Sequence, residues 1–322
     1  MLKNRVKKYT LRQCLEKYLN YQENVKKVKT HTILRNRSEC RILAAIFEPE
    51  GYNAFPYPKD YHIYYIEEKI SGTGKPIKTQ NHYLQSLKTV LKFAYQKEII
   101  STPIHQKITY LPETAIYKKI EDKYLEQIEL RRLIKYFREQ NILHSTKIAI
   151  IIEFMAQTGL RYGEMQALTF SDIDFKKQII SVEKTYNEIS KISGTPKTRS
   201  SKRKIACNIR TLMLVKEYQS ITGKYDKRDN IFININGVPM RNQGFNRKLL
   251  KAARVLGINK TLTSHTLRHT HTSLLFQQGL SLDIIARRLG HESEDITRRI
   301  YLHITKKLQE HDFRIFRKMD IL

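Results

Sequence analysis

Arg161 is the first side chain along the sequence whose type and setting could act on an anion. It lies in the segment TGLRYGEMQAL, residues 158–168, where Gly159 can end one helix and Arg161 precedes the next. Two uses are open at this point. The guanidinium can pair with Glu164 and stabilise the turn, or Glu164 can hold it so that its planar fork binds a phosphate through two hydrogen bonds.

A run of basic residues follows at a turn predicted between short strands. The segment PKTRSSKR, residues 196–203, carries four cationic side chains: Lys197, Arg199, Lys202 and Arg203. Such a run is typical of a solvated loop, and it is equally suited to contact DNA phosphates. We expect these four side chains to bind DNA if the partner is a nucleic acid.

Histidine, arginine and tyrosine side chains recur near the C-terminus. In SHTLRHTHTSLL, residues 264–275, His265 and Arg268 are three positions apart and share one face of a predicted helix. Three histidines in seven residues can suggest a metal site, but no nearby carboxylate or cysteine completes a ligand set, so no metal is predicted. Further on, His291 follows a glycine at a helix end, and Tyr301 lies in an amphipathic segment where tyrosine is usually part of a core.

The composition narrows the class of partner. The 322 residues include 59 Lys and Arg against 31 Asp and Glu, a formal charge of +28. An excess of this size favours a polyanionic partner, with nucleic acid ahead of an anionic membrane or a merely solvated surface. The first residues have no signal-peptide pattern and no stretch is apolar for about 18 residues, so a cytoplasmic protein without membrane association is expected. The three cysteines lack zinc-site or disulfide spacing and are expected to be reduced and inert.

Hydrophobic periodicity divides the chain into two parts. About four helices are predicted in the first hundred residues, the first of them starting after the N-cap residue Thr10. Polar residues around Pro112 indicate a linker. The second part is predicted to be helical except for short antiparallel strands at residues 179–182, 189–192 and near Ile205, which would flank the basic run as a hairpin.

The order and local sequence of these segments resemble the tyrosine recombinase family of phage and transposon integrases. The resemblance lies in the boxes TGLRYGE, PKTRSSKR, HTLRHTH and LGH and in the final YLH, which begins with Tyr301, and it covers the whole chain. It implies a mainly α fold with a small antiparallel sheet: a SAM-like helical core-binding domain at 1–110, a linker at 111–121 and a catalytic domain at 122–322. A separate arm-site-binding domain, which some relatives have before the first of these helices, is expected to be absent.

The resemblance also implies a role for each side chain. Arg161 and Arg268 would bind the non-bridging phosphate oxygens and Tyr301 would attack the phosphorus, giving a covalent 3′-phosphotyrosyl link. His265 would accept or share the phenol proton, Lys197 would protonate the departing 5′ oxygen, and His291 would donate a hydrogen bond to the phosphate. Glu164 would orient the cationic cluster. Neither a metal ion, ATP nor another cofactor is required by this chemistry.

Partners and role follow in the same way. Double-stranded DNA is the expected substrate, with a monomer in solution and a homotetramer on DNA in the synaptic complex. The apolar tail, residues 308–322, would pack on its own domain or on a neighbouring protomer. The lysine-, isoleucine- and asparagine-rich composition indicates an AT-rich bacterial host or its mobile element. The expected role is that of a mobile-element integrase, which can need an accessory directionality factor. The alternatives are a Xer-like resolvase of chromosome or plasmid dimers, a B-class topoisomerase, and a DNA-binding regulator that does not cut DNA.

Overall fold

The computed structural model describes residues 9–47, 63–112, 123–140, 142–188, 191–194, 202–223, 229–234 and 237–290. The chain divides into two compact units, Met1–Ile116 and Tyr117–Leu322. This division falls inside the segment predicted as a linker, while the bounds at 110 and 122 stay predictions. No helix in the described ranges is long and apolar enough to cross a membrane.

The described part of the first unit is helical. Its α-helices are α1 (Leu11–Asn20), α2 (Thr30–Phe47), α3 (Ile63–Ser71) and α4 (Ile77–Gln96), with a π-helical turn at Tyr21–Val25 and a 3₁₀ turn at Ile104–Gln106. Thr10 caps α1 as predicted, since its hydroxyl accepts from the Gln13 backbone N–H and the Gln13 side chain accepts from the Thr10 N–H. The helices bury a shared core that includes Leu11, Leu43, Ile66, Leu84 and Leu87.

The second unit is built around one largely buried helix. Its helices are α5 (Gln127–Glu139), α6 (Leu143–Thr158), α7 (Tyr162–Ala167), α8 (Ile209–Thr222), α9 (Asn242–Val255), α10 (Ser264–Gln277) and α11 (Leu282–Leu289). From Ile148 to Met155 the sequence of α6 is apolar except at Glu153, and this is the pattern of a helix enclosed by others. Helices α5, α8 and α10 pack against it, so α6 ends within the protein interior.

The described residues of this unit also form five short strands: β1 (Ile173–Asp174), β2 (Ile179–Val182), β3 (Thr185–Asn187), β4 (Ile192–Gly194) and β5 (Arg203–Ala206). One antiparallel sheet has the order β1-β2-β5, and β3 pairs with β4 in a second. The predicted hairpin is therefore wrong in its pairing, because the basic run leads from β4 in one sheet to β5 in the other. Ile180 faces Ile205 across β2 and β5, and both side chains are buried, so burial fixes this longer-range register.

The three cysteines, Cys14, Cys40 and Cys207, are free thiols, and all are buried. Burial raises the pKa of Cys14 and of Cys40 to about 11. They therefore remain protonated and unreactive near neutral pH, in agreement with the prediction.

Candidate active site

The turn between α6 and α7 presents the first site residue. Gly159 ends α6 in a left-handed conformation, with φ +67, and Arg161 occupies the position before the first residue of α7. A side chain at position 159 would be blocked, because an added Cβ atom would lie 2.4 Å from the His271 ring and 2.8 Å from Leu289. Glycine is thus required both by the backbone conformation and by the close packing.

Glu164 joins two arginines. Its side chain is 3 % exposed and accepts from Arg161 Nη1 at 2.7 Å and from Arg203 Nη2 at 2.8 Å. The carboxylate also accepts from the Arg161 backbone N–H at 3.0 Å, which caps the start of α7. Burial alone would raise the pKa of Glu164, but the hydrogen bond and charge of Arg203, with a smaller contribution from Arg161, lower it. Glu164 is therefore ionised and holds both guanidinium groups.

Arg268 lies deeper, on α10, where it is 3 % exposed. Its guanidinium donates to the Gly159 carbonyl from Nη1 and to the Leu289 carbonyl from Nη2, each at 2.7 Å. Burial and the nearby positive charge of Arg161 lower the pKa of Arg268 to about 9, although Glu164 acts in the opposite direction. Arg268 is consequently a charged group that donates hydrogen bonds to neutral carbonyls, and its environment favours the arrival of an anion.

The end of α11 accepts from three arginines in succession. The carbonyl of Arg288 accepts from Arg203 Nε at 2.7 Å, that of Leu289 from Arg268, and that of Gly290 from Arg161 Nη2 at 3.3 Å. Carbonyls at a helix C-terminus have no partner within the helix, and the helix dipole places partial negative charge there. The three arginines thus supply hydrogen bonds to the last carbonyls of this helix, and the carbonyls in turn fix the three guanidinium groups.

Two histidines of α10 lie beside this cluster. Desolvation and the charges of Arg268 and Arg161 lower the pKa of His265. Burial and the neighbouring His265 lower the pKa of His269 to about 4. Both rings line an open pocket of about 310 Å³ together with Lys123 and Lys260. Both rings are therefore neutral near neutral pH, and a neutral imidazole has one ring nitrogen that can accept a hydrogen bond.

The structure brings together Arg161, Glu164, His265 and Arg268 of the predicted site. Lys197, Arg199, His291 and Tyr301 lie outside the described residues. Lys202, just before β5, is exposed to solvent. Among the described residues, no group of three or more His, Cys, Asp or Glu side chains could hold a metal ion.

Arg203 differs from the expectation for the basic run. Its side chain is only 6 % exposed, and its guanidinium points inward to Glu164 and to the Arg288 carbonyl. The reason is that Arg203 opens β5, whose pairing with β2 turns the side chain towards α7 and α11. This geometry suits a residue that organises the cluster rather than one that contacts DNA directly.

Sequence reasoning also missed two neighbours of the cluster, His271 and Arg288. Arg288 Nε donates to His271 Nε2 at 3.0 Å, and His271 Nδ1 lies 2.8 Å from the Ala156 carbonyl. The signals were present as the third histidine of HTLRHTH and the second arginine of RRLGH. Arg288 lies outside the boxes that carry the family resemblance, and His271 is the last residue of HTLRHTH but was given no role in the predicted site.

Comparison with known proteins shows the family to which the chain belongs. The model of the phage integrase family matches residues 123–307. The integrase of Staphylococcus phage L54a is 34 % identical over 303 residues, which are 89 % of this chain and 81 % of that protein. The ICEBs1 integrase of Bacillus subtilis is 28 % identical over 76 % of this chain and 67 % of its own. These matches define a tyrosine recombinase. The chain belongs to the phage integrase family.

Solved structures share the fold over nearly the whole chain. The Tn1549 transposon integrase, in complex with a circular intermediate DNA, superposes with a TM-score of 0.72 at 22 % identity, covering 94 % of this chain and 99 % of that one. A lambda integrase tetramer bound to a Holliday junction gives a TM-score of 0.68 at 16 % identity, covering 91 % and 77 %. The predicted mainly α fold with small antiparallel sheets is confirmed.

Proposed function

We propose that this recombinase cleaves and rejoins DNA strands through a covalent bond between Tyr301 and the 3′ phosphate. The observation that carries the proposal is the arginine cluster, in which Arg161, Arg203 and Arg268 face a single carboxylate, Glu164, and the end of α11. Fixed guanidinium groups with excess positive charge are suited to bind a phosphodiester.

The charge of the cluster matches the charge that develops in the reaction. A phosphodiester carries one negative charge, and attack by a phenolate oxygen gives a five-coordinate phosphorus with two. Three guanidinium groups and one carboxylate leave two positive charges in excess. Because the guanidinium groups are held by carbonyls and Glu164 beforehand, little reorganisation is needed as the charge grows.

Proton transfer is assigned to neighbouring residues. Tyr301 loses its phenolic proton as its oxygen attacks the phosphorus, and the bond from phosphorus to the 5′ oxygen breaks. His265, whose pKa is lowered, accepts or shares that proton. Lys197 supplies a proton to the departing 5′ oxygen, and His291 donates a hydrogen bond to the phosphate. Attack by a 5′ hydroxyl then reverses these steps and releases Tyr301, so the bond energy is kept and no cofactor is consumed.

Duplex DNA is the substrate that best fits the charge of the chain. The formal charge is +28, and Lys202 is exposed next to the site. Lys197, Arg199 and Lys202 are assigned to phosphate contacts, whereas Arg203 is assigned to orienting the cluster. Phosphate contacts of this kind release counterions, so affinity for DNA decreases steeply with salt.

The biological role we propose is integration and excision of a mobile element. Support comes from the relatives, which include the integrases of phage L54a and ICEBs1. They also include a XerD recombinase of Oceanobacillus iheyensis, which is 26 % identical over 79 % of this chain. The higher identity to a phage integrase favours the integrase role over a resolvase role. An accessory directionality factor is expected for the excision direction.

We propose further that the protein acts as a tetramer on two DNA duplexes in the cytoplasm and is a monomer when free. The solved tetramer of lambda integrase on a Holliday junction supports the assembly by similarity of fold. The apolar residues of the tail, 308–322, would join neighbouring protomers. Deleting them is expected to reduce assembly on DNA, measured by size-exclusion chromatography with light scattering, and to leave monomer folding intact.

The central test is covalent adduct formation. Duplex fragments from the sequence flanking the gene, each with a nick near the candidate crossover, trap a cleaved strand because the short product diffuses away. Wild-type protein is expected to give an adduct that survives denaturing electrophoresis. Tyr301→Phe should bind the same fragments and give no adduct, and Arg268→Ala should lose the adduct at every pH. Cleavage by Tyr301→Phe, or specific binding by wild type without an adduct, would contradict the proposal.

A further inference from the structure

Arg288 connects the end of α11 to three other parts of the second unit. Its Nε donates to His271 on α10, its Nη1 donates to the Ala206 carbonyl at 2.8 Å, and its Nη2 donates to the Gln157 carbonyl at 3.3 Å. Ala206 is the last residue of β5, and Gln157 is in the last turn of α6. One side chain therefore bonds α11 to α6, α10 and β5 at the same time.

The contact with His271 defines the state of that ring. A backbone carbonyl only accepts, so the proton of His271 is on Nδ1, which donates to Ala156. A guanidinium only donates, so Nε2 must present its lone pair to Arg288. Burial and the charge of Arg288 lower the pKa of His271 to about 3, which keeps the ring neutral. The pair works as a fixed donor and acceptor across the physiological pH range.

The same helix end carries the contacts of the active site. The carbonyls of Arg288, Leu289 and Gly290 accept from Arg203, Arg268 and Arg161. The His271 ring also lies against the turn at Gly159, whose carbonyl is the second acceptor for Arg268. A shift of the α11 end relative to α6 would therefore displace the acceptors of Arg161 and Arg268 together.

Apolar contacts already dock α11. Ile285 and Leu289 are fully buried and form a cluster with Phe276 of α10. The Arg288 guanidinium is not needed to attach the helix, since this cluster supplies the burial. Its hydrogen bonds instead determine where the helix end lies, and such directional contacts set position more sharply than apolar packing does.

We propose that Arg288, held by His271, is a positioning residue for strand cleavage: it fixes the end of α11 so that Arg161 and Arg268 meet the same phosphate. The inference rests on the proposed function and extends it to two residues that were not among the predicted site residues. A displacement of about 1 Å at a reacting centre can slow a reaction by about 100-fold. We therefore expect loss of the tether to slow cleavage by roughly 10- to 100-fold.

The test compares Arg288→Ala with Arg287→Ala. Arg287 is the adjacent residue, is exposed, and makes only a long bond of 3.4 Å, to the Asp283 carbonyl, within the described part of the chain, so its variant removes the same charge without the tether. Rates of adduct formation are measured at saturating nicked DNA, with the DNA Kd and Tm of each variant. The expected result is a slow adduct rate for Arg288→Ala with Kd near that of Arg287→Ala, whose rate stays at the wild-type level.

A neutral substrate separates positioning from a general loss of structure. Replacing a non-bridging oxygen of the scissile phosphate with a methyl group removes the charge that the arginines stabilise. If Arg288 acts through Arg161 and Arg268, the defect of its variant should shrink several-fold on the methylphosphonate. Arg288→Lys keeps the charge and much of the volume but loses the three-way donor, and it should show the same pattern if the alanine variant folds poorly.

Two results would overturn the inference. One is an equal adduct rate for the Arg288 and Arg287 variants on the phosphodiester. The other is a defect of the same size on charged and neutral substrates, which would indicate a merely structural role. Failure of the proposed function is distinct, because wild-type protein would then give no Tyr301-dependent adduct on the phosphodiester at all.

Discussion

Replacement of Gly159 by alanine tests the packing between the ends of α6 and α11. The substitution adds one methyl group at a residue with φ +67, where the new Cβ atom would lie 2.4 Å from the His271 ring and 2.8 Å from Leu289. Neither neighbour can withdraw easily, because His271 is fixed by Ala156 and Arg288 and Leu289 is fully buried.

The cost has two parts. Placing a non-glycine residue in the left-handed conformation costs about 1–2 kcal/mol. Forcing an extra methyl group into a packed interior adds about 1–3 kcal/mol. The sum, about 2–5 kcal/mol, corresponds to a fall in Tm of roughly 5–15 °C for a unit of this size. Because the Gly159 carbonyl accepts from Arg268, the adduct rate should fall as well.

Gly257→Ala is the matched control. Gly257 has nearly the same backbone conformation, with φ +66, but an added Cβ atom would meet nothing within 4 Å. Its variant therefore carries the conformational cost alone. The difference in Tm between the two variants, measured by circular dichroism on the full chain, isolates the packing cost. Equal Tm values for Gly159→Ala and Gly257→Ala would refute the reasoning.

Three further outcomes are expected. Glu164→Gln should destabilise the protein by about 3 kcal/mol at pH 7, since it leaves the buried Arg203 guanidinium without its anion. Because the folded pKa of Glu164 is below its ordinary 4.5, the difference in stability between this variant and wild type should shrink below that pH in urea titrations. The folded pKa values of His269 and His271 are about 4 and about 3. Between pH 6.5 and about 4 these rings therefore take up protons only on unfolding, so the free energy of unfolding should fall as the pH decreases. His269→Gln should reduce the slope of the free energy of unfolding against pH by up to about 1.4 kcal/mol per pH unit. Lys202→Ala should weaken binding to all duplexes alike and reduce the log–log salt slope by about 0.9, whereas a sequence-dependent loss would argue against a phosphate contact.

Local signals predicted much of the fold. The N-cap at Thr10 and the helix end at Gly159 depend on residues within a single turn, so short-range sequence is sufficient to define them. The apolar pattern of α6 likewise predicted a helix. Strand pairing was different, because the partner of β5 is β2 rather than the neighbouring β4. The pairing of β5 with β2 depends on the burial of Ile180 and Ile205 against the rest of the core. A local sequence pattern does not contain this long-range information.

In the candidate active site, too, local contacts were predictable from the sequence and long-range contacts were not. The pairing of Arg161 with Glu164 spans three residues and was one of the two uses considered for that arginine. Both uses are compatible, since Arg161 has further donors besides the one given to Glu164. The inward position of Arg203 and the link between Arg288 and His271 were not predicted. Arg203 and Glu164 are 39 positions apart in the sequence, so their pairing leaves no local signal. The other acceptor of Arg203 is a backbone carbonyl, and every residue has one, so the sequence does not mark it either.

The hydrogen bonds that the main chain accepts at the end of α11 affect which substitutions this enzyme can tolerate. A saturation scan reports on side chains, yet the atoms that hold Arg161, Arg203 and Arg268 on this helix are carbonyl oxygens that no substitution removes. Sensitivity should instead concentrate at residues that shape the backbone, such as Gly290 with φ +65. Exposed neighbours on α11 can vary freely in such a scan. The helix surface can therefore diverge in sequence while the geometry around the phosphate stays constant.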